Sequence, residues 1–335
     1  MIFGLLSILD LLEFLYINTQ DTGNYDHYIP KFLLRRFRIS EKGAHSNSLF
    51  TYTLKSKLVE RKSIDDVAGE IDFDVSKANG IPSDFVNKKI FAEFLEPIVS
   101  RIVKHINTGN NDLTYLEANT LAVYMGHQIT RVPAFRSLLL KIFSIGISDG
   151  RILYSEFGDK KALREKVAFN SIGITYDQIL RTKPFIKVDG GKPQAIMISL
   201  LIASVISEKI YRDNSMHIID IPQDSGKEFV ISDNPVVFMD FERGTVLPFV
   251  PWWEIGTRDF LIAMPISRNK AILYSRVGRK PTETEQNSIA ELINFAQYAC
   301  ARKEIYSNNE KTILAHLNKY KTELEKFRLM FSSED

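Results

Sequence analysis

The stretch FVISDNPVVF, residues 229–238, decides the fold class, because two apolar runs lie on either side of a polar turn of sequence SDNP. Short runs rich in Ile, Val and Phe, bounded by Pro, Gly, Asn and Asp, are typical of β-strands. Further runs of this kind lie at residues 216–221, 260–264 and 270–274. Together they predict a small antiparallel or mixed sheet in the C-terminal half of the chain.

Helical periodicity dominates the rest of the sequence. Apolar residues recur at intervals of three and four, which is the spacing of one helix face. Helices are predicted over residues 31–38, 84–106, 115–130, 134–157, 195–211, 284–302 and 311–331. Pro97 predicts a bend inside the second of these. With a hairpin expected at 49–61, the sequence predicts an α+β fold that is mainly helical.

The expected organisation is one large α+β domain with a helix at each end. Residues 1–26 form an N-terminal helix and linker, in which the apolar positions of segment 2–17 have helical spacing. Residues 27–307 contain no internal repeat and no low-complexity linker, so they predict a single integrated domain. Residues 308–335 predict a C-terminal helix with mixed charges.

Composition excludes several classes of protein. There are 43 Lys and Arg residues against 41 Asp and Glu residues, a net charge of +2, so no global field attracts nucleic acid or a membrane. Cys300 is the single cysteine, which excludes an intrachain disulfide and cysteine-rich zinc sites. The apolar segment 2–17 is too short to span a bilayer and lacks a basic leader. A cytoplasmic protein without a transmembrane segment is expected, and its oligomeric state stays open.

The first candidate site is the segment HYIP, residues 27–30, which is followed by LLRRF at 33–37. A helix that begins near Pro30 presents backbone N–H groups that favour an anion. His27 and an arginine such as Arg35 could therefore receive a phosphate or a carboxylate there. The alternative is that both side chains brace the fold, and the pattern alone favours that alternative.

The second candidate is HQITRVP, residues 127–133, at the end of a predicted helix. His127 and Arg131 are four residues apart, and Gln128 and Arg131 are three apart, so all three can share one edge of the helix. A cation near a helix C-terminus is also stabilised by the macrodipole. That structural explanation is sufficient for this cluster.

The third candidate is Asp233, in the turn between the two apolar runs. Polar residues at the end of a buried strand are held rigidly, which suits a general base or a ligand for a divalent metal ion. Asp and Asn before Pro are also common turn builders, because their side chains bond to the backbone. Both interpretations stay open. The sequence has no Walker-type phosphate loop, no HEXXH zinc motif and no GXSXG serine motif.

An ordered set of short motifs resembles the family known as domain of unknown function 4238. The motifs are HYIP at 27–30 with LR at 34–35, Q and R at 128 and 131, and SDNP at 232–235. The resemblance extends from about His27 to Ser307, with Lys31 standing where the family often has Gln. The family carries no established activity, so the resemblance implies a shared core and a shared polar cluster. It implies that five side chains meet in space: His27, Arg35, Gln128, Arg131 and Asp233.

One hypothesis is a hydrolase or nuclease-like enzyme whose partner is nucleic acid or a phosphorylated small molecule. His27 acts in it as general acid or base, and Arg35 and Arg131 stabilise phosphate charge. Asp233 orients the histidine or binds a divalent metal ion, the one cofactor that the hypothesis implies. Three other carboxylates could contribute to such a metal site: Asp26, Asp220 and Asp240.

Two alternatives stay open beside the enzyme. In the first, the same residues form a ligand- or partner-binding regulatory module without turnover. In the second, the polar set is a structural network, since buried arginines and aspartates must be paired. The enzyme hypothesis predicts that His27 and Asp233 line one open cleft, whereas the network predicts an Arg35–Asp233 pair without a cleft.

Overall fold

The structure is a computed structural model of the chain. It describes residues 25–39, 47–71, 73, 86–109, 111–137, 192–222, 225–241, 243–247, 259–276 and 278–331. Two predicted helices, the N-terminal helix at 2–17 and most of the helix at 134–157, lie outside these residues.

The described chain contains three antiparallel sheets. Their strands are β1 (Tyr25–His27), β2 (Ser48–Thr53), β3 (Leu58–Ser63), β4 (Gly69–Ile71), β5 (Ser215–Asp220), β6 (Ile231–Ser232), β7 (Val237–Asp240), β8 (Thr245–Leu247), β9 (Leu261–Ser267), β10 (Lys270–Ser275) and β11 (Glu304–Ser307). The largest sheet has the order β5-β10-β9-β7-β8, the second has the order β3-β2-β11-β6, and the third pairs β1 with β4.

The described chain is α+β, but the prediction of a small sheet confined to the C-terminal half is wrong. In the four-stranded sheet, Ile305 of β11 lies between Tyr52 of β2 and Ser232 of β6, so this sheet joins both halves of the chain. The pair of β1 with β4 lies entirely in the N-terminal part. Strands of two to four residues, such as β1, β4, β6 and β11, are too short to show a two-residue alternation in the sequence.

The helices are α1 (Lys31–Leu34), α2 (Glu96–Asn107), α3 (Tyr115–Arg131), α4 (Lys192–Asp213), α5 (Glu283–Cys300) and α6 (Glu310–Phe331). A 3-10 turn, Arg35–Phe37, continues α1, and a π-helix, Val86–Leu95, leads into α2. The predicted bend at Pro97 stays a prediction. Pro97 lies in the first turn of α2, next to the change from π-helix to α-helix.

Close packing of α3 against α4 fixes the helix that carries the second candidate motif. A Cβ atom at Gly126 would lie 2.2 Å from Oγ of Ser207 and 2.7 Å from the carbonyl oxygen of Ala203. Only glycine allows this approach of the two helices. As a result, α3 is firmly placed, and its residues His127 and Gln128 are buried.

Candidate functional site

A cleft of about 390 Å3 opens between β1, α1 and the junction of the π-helix with α2. We call it the His27 cleft. Its described walls include five side chains that can bind or position a ligand: Tyr25, His27, Lys31, Arg35 and Glu96. A volume in this range is typical of sites for small molecules. The cleft therefore brings together His27 and Arg35, two members of the predicted cluster.

The short helix α1 directs two cations toward this cleft. Leu33 and Leu34 are fully buried in the core, so the opposite face of the helix carries Lys31 and Arg35. These two cations are four residues apart, which places them one above the other on a single face. Pro30 precedes the helix in extended conformation, with φ −59° and ψ 140°. The local sequence thus explains why Arg35, and not its neighbour Arg36, lines the cleft.

His27 is held in one orientation by a backbone carbonyl group. Its Nε2 atom lies 3.1 Å from the carbonyl oxygen of Ile64. Because a carbonyl only accepts hydrogen bonds, Nε2 carries the proton in the neutral ring, and Nδ1 keeps its lone pair. Burial lowers the pKa of His27, and the charges of Lys31 and Arg131 lower it further. His27 is therefore a neutral base at neutral pH.

The two cations of the cleft differ in how much of their charge is compensated. Lys31 donates to the carboxylate of Asp65 at 2.5 Å, and this bond lowers the pKa of Asp65. Asn47 donates to the second oxygen of the same carboxylate at 3.0 Å. Arg35 is exposed and forms no ion pair within the described residues. Among the described residues that line the His27 cleft, the Arg35 guanidinium group is therefore a cation without a carboxylate partner.

Arg131 reaches the cleft through Glu96. Its guanidinium Nη1 lies 3.2 Å from Oε1 of Glu96, which lines the cleft. The Arg131 guanidinium group also lies 4.0 Å from the centre of the Phe91 ring, a cation–π contact. Arg131 is only 1% exposed, so it positions the carboxylate of Glu96 and is itself shielded from the cleft.

Gln128 lies on a buried polar face of α3 behind the cleft wall. Among the described residues, neither atom of its amide has a hydrogen-bond partner, and the same holds for the Tyr124 hydroxyl and for Nδ1 of His127. The Tyr124 ring lies 5.9 Å from the ring of Phe32, which lines the cleft. Burial lowers the pKa of His127 to about 4, so this histidine is neutral. The described walls of the cleft do not include Gln128.

Asp233 does not belong to the described walls of the His27 cleft, so the expectation that His27 and Asp233 line one open cleft is not met. Its two carboxylate oxygens accept backbone N–H groups of Arg302 at 2.9 Å and Lys303 at 2.7 Å, and its own N–H donates to the carbonyl oxygen of Glu304. Burial raises the pKa of the Asp233 carboxyl to about 6, although these N–H groups act in the opposite direction. In the described part of the chain, Asp233 forms no ion pair with an arginine. Its contacts join β6 to the start of β11.

Side chains of α5 support the same SDNP turn. The amide oxygen of Gln297 accepts both the N–H and the hydroxyl of Ser232 at 2.8 Å, and its amide nitrogen donates to the carbonyl oxygen of Pro235 at 2.9 Å. Asn294 accepts the N–H of Val230 at 3.1 Å in the same way. These contacts explain how a turn with few backbone hydrogen bonds is kept rigid in the core.

A second cleft, of about 510 Å3, lies between β1, β4 and the start of β11. We call it the Arg302 cleft. Its walls include Tyr28, Lys55 and Arg302, and it shares Tyr25 with the His27 cleft. Tyr28 connects this region to the SDNP turn, because burial and the nearby Asp233 carboxylate raise the pKa of its hydroxyl.

A comparison with protein-family models identifies the family of this chain. The model described as a protein of unknown function, DUF4238, matches residues 25–311. The chain belongs to the DUF4238 family. The match contains both clefts and the SDNP turn, so these features are part of the DUF4238 domain. No curated protein and no solved structure matches the chain.

The carboxylates considered for a metal site are engaged elsewhere in this DUF4238 domain. Asp220 pairs with Lys270, Asp240 pairs with Arg243, and Asp26 is buried. Within the residues that the structure describes, no group of three or more His, Cys, Asp or Glu side chains is arranged to hold a metal ion. No helix among them is long and apolar enough to cross a membrane.

Sequence reasoning missed Glu96 and Tyr25 as residues of the cleft. Glu96 lies one residue before Pro97, on a helix whose apolar face had been read as core. Its pairing with Arg131 depends on how α2 packs against α3, and the sequence contains no signal for that contact. Tyr25 lies just before the HYIP motif, in a stretch that was expected to be a polar linker.

Proposed function

We propose that this DUF4238 domain is a phosphate-ester hydrolase whose active site is the His27 cleft. One observation carries the proposal: a histidine and an arginine line the same open cleft, and among the described residues neither Nδ1 of the histidine nor the arginine side chain has a partner. An arginine fork binds phosphate oxygens with two parallel hydrogen bonds. A neutral imidazole beside that phosphate is suited to accept a proton from an attacking water molecule.

The reaction that fits these groups is direct hydrolysis by water. His27 takes a proton at Nδ1 while the water oxygen forms a bond to phosphorus. The ester P–O bond breaks, its electron pair stays on the leaving oxygen, and that oxygen takes a proton from solvent. Arg35 stabilises the negative charge of the phosphate oxygens in the transition state, and Lys31 adds to the positive potential.

The remaining residues of the predicted cluster support this site from a distance. Arg131 fixes the carboxylate of Glu96 on the cleft wall. Gln128 lies on the α3 face behind that wall. Asp233 anchors the strand junction beside Tyr28, the neighbour of His27. In this proposal, their roles are to position the groups that contact the substrate.

The test is hydrolysis of an activated diester, bis-para-nitrophenyl phosphate, by the full chain. Arg35→Ala is expected to raise KM about tenfold or more, because a charge-assisted hydrogen bond to substrate is lost. His27→Gln is expected to lower kcat by about 10²–10⁴-fold. Arg38→Ala is the matched control, since this exposed arginine lies three residues from Arg35 and is outside the cleft walls. Equal loss in Arg35→Ala and Arg38→Ala would contradict the proposal.

A binding module without turnover is the second candidate function. The observation that favours it is the engagement of Glu96 with Arg131, because the described walls of the cleft hold no other carboxyl group to protonate a leaving group. The same experiment separates the two functions. A binding module should bind inorganic phosphate through Arg35, as measured by calorimetric titration. It should release no para-nitrophenolate from bis-para-nitrophenyl phosphate.

A further inference from the structure

One aromatic side chain, that of Tyr25, lines both clefts. It is 41% exposed, which is a large fraction for an aromatic residue within a strand. His27 and Arg35 line the first cleft with it, and Lys55 and Arg302 line the second. A ligand that occupied both clefts would contact this ring.

The position of the Tyr25 ring is set by its neighbours. A Cβ atom at Gly69, the β4 residue that faces His27, would lie 2.5 Å from Cε1 of Tyr25. The absence of a side chain at Gly69 therefore leaves the space that the ring occupies. The His27 ring packs against it edge-on, with the ring centres 5.1 Å apart. Tyr25 is thus placed as a fixed platform and is not a freely moving surface side chain.

Cations without an ion pair among the described residues line both clefts beside this platform. Arg35 in the His27 cleft, and Lys55 and Arg302 in the Arg302 cleft, form no ion pair within the described chain. Lys303 is paired with Glu70 at 2.5 Å. Glu304 and Asp66 also line the second cleft, and Lys62 compensates the charge of Glu304 at 2.9 Å. The three cations Lys55, Arg302 and Lys303 outnumber these two acids.

The low net charge of the chain means that anions are attracted by local groups of cations such as these. The net charge is only +2, so a strong general attraction for polyanions is absent and any selectivity must be local. Proteins bind single-stranded nucleic acid by stacking bases on aromatic side chains while cations track the backbone phosphates. A single small phosphate ester needs only the His27 cleft and leaves the second group of cations unused.

We propose that the two clefts form one binding groove for single-stranded nucleic acid, in which a base stacks on Tyr25. A phosphate on one side of that base lies at Arg35, and a phosphate on the other side lies at Lys55 and Arg302. This inference rests on the proposed function and names its substrate as a single-stranded oligonucleotide. The scissile phosphodiester is the one beside His27.

The experiment is fluorescence anisotropy of the full chain with labelled single-stranded ten-residue oligonucleotides, in separate DNA and RNA arms. The double variant Lys55→Ala with Arg302→Ala is expected to weaken binding about tenfold or more. The slope of log affinity against log salt concentration should become shallower by the amount that corresponds to one or two lost phosphate contacts. The matched control is Lys321→Ala with Lys326→Ala, two exposed lysines of α6 away from both clefts. The control is expected to bind as the unmodified chain does.

Stacking is tested by changing Tyr25 and the oligonucleotide together. Tyr25→Leu is expected to weaken binding by about 5-fold to 100-fold, whereas Tyr25→Phe, which keeps the aromatic face, retains it. An abasic oligomer of the same length has nothing to stack, so both variants should bind it equally. Equal binding of the base-containing oligonucleotide by both variants would overturn the stacking role.

The outcomes separate this inference from the proposed function. The Lys55→Ala, Arg302→Ala variant should still hydrolyse bis-para-nitrophenyl phosphate at the normal rate, because neither residue lines the His27 cleft. Oligonucleotide affinity that is unchanged in this variant, while Arg35→Ala still impairs hydrolysis, contradicts the groove and leaves the hydrolase intact. Hydrolysis that does not depend on Arg35 or His27 overturns the proposed function itself.

Discussion

Two ionisable side chains, the half-buried His27 and the buried Asp233, show how hydrogen bonding decides what a residue can do. One nitrogen of His27 is used by the carbonyl oxygen of Ile64, and the other keeps its lone pair. Both oxygens of Asp233 are used by backbone N–H groups. Only His27 therefore has an atom left to accept a proton from a bound water molecule.

The pH dependence of hydrolysis should report the protonation of His27. Because burial lowers its pKa below the ordinary value of 6.5, the neutral ring is already the main form at pH 7. We expect kcat/KM for the diester to rise with pH and to reach a plateau below about pH 7. Steady-state rates from pH 4.5 to 9 check this in buffers of constant ionic strength. A rising limb centred above pH 7 would contradict the role of His27 as base.

The free energy of unfolding should depend on pH through the protonation of the Asp233 carboxyl. Its folded-state pKa of about 6 lies above the ordinary value of 3.8, so the native state binds this proton more tightly than the unfolded state does. The stabilisation is complete below about pH 4 and is lost as the pH rises through about 6. Asp233→Asn removes this titration.

Urea unfolding at several pH values measures the effect. From pH 4 to pH 7, we expect the unfolding free energy of the unmodified chain to fall, relative to that of Asp233→Asn, by roughly 1–3 kcal/mol. Parallel pH profiles for the two proteins would show that the Asp233 carboxyl has the same pKa in the folded and unfolded states.

At the scale of elements, the ion pair between Arg131 and Glu96 fastens α3 to α2 beside the cleft. Removing one partner of a buried pair leaves an uncompensated charge, so Arg131→Met is expected to destabilise the fold by about 3 kcal/mol. Combining it with Glu96→Gln should cost less than the sum of the two single changes. Arg101→Met, at an exposed position of α2, is the matched control.

Chemical denaturation of the four proteins of this cycle gives the coupling energy. We expect a coupling energy of at least about 0.5 kcal/mol, because the Arg131 and Glu96 side chains are in direct contact. Strict additivity would mean that the pair does not connect the helices in solution.

Long helices and strands were predicted from the sequence more accurately than short ones. Segments with several turns of apolar spacing, such as α3 and α5, are found within a few residues of where the pattern places them. The runs at 216–221 and 270–274 correspond to β5 and β10. The strand β11 lies between two predicted helices, 284–302 and 311–331, and was not predicted, because its four residues carry no alternation and its partners β2 and β6 are far away in the sequence.

At the scale of the whole molecule, the candidate site depends on contacts that no local pattern encodes. The HYIP motif and Arg35 were identified because they lie on one short segment. Glu96 lines the cleft although its helix lies about 60 residues after the HYIP motif. Asp233 lies outside the cleft walls because its backbone bonds to Glu304 at the start of β11. Residue types and spacing therefore predicted the candidates, whereas the packing of α2, α3 and β11 determined which of them share a cleft.

The most direct test of the central claim is a crystal structure of the full chain with orthovanadate, an analogue of the transition state for phosphoryl transfer. We expect vanadate to lie in the His27 cleft, with oxygens in hydrogen-bonding distance of the Arg35 guanidinium group and one oxygen facing Nδ1 of His27. Arg35→Ala crystals under the same conditions should lack it. Vanadate bound away from both residues, or a cleft empty at saturating vanadate, would contradict the assignment of this cleft as a phosphate-ester active site.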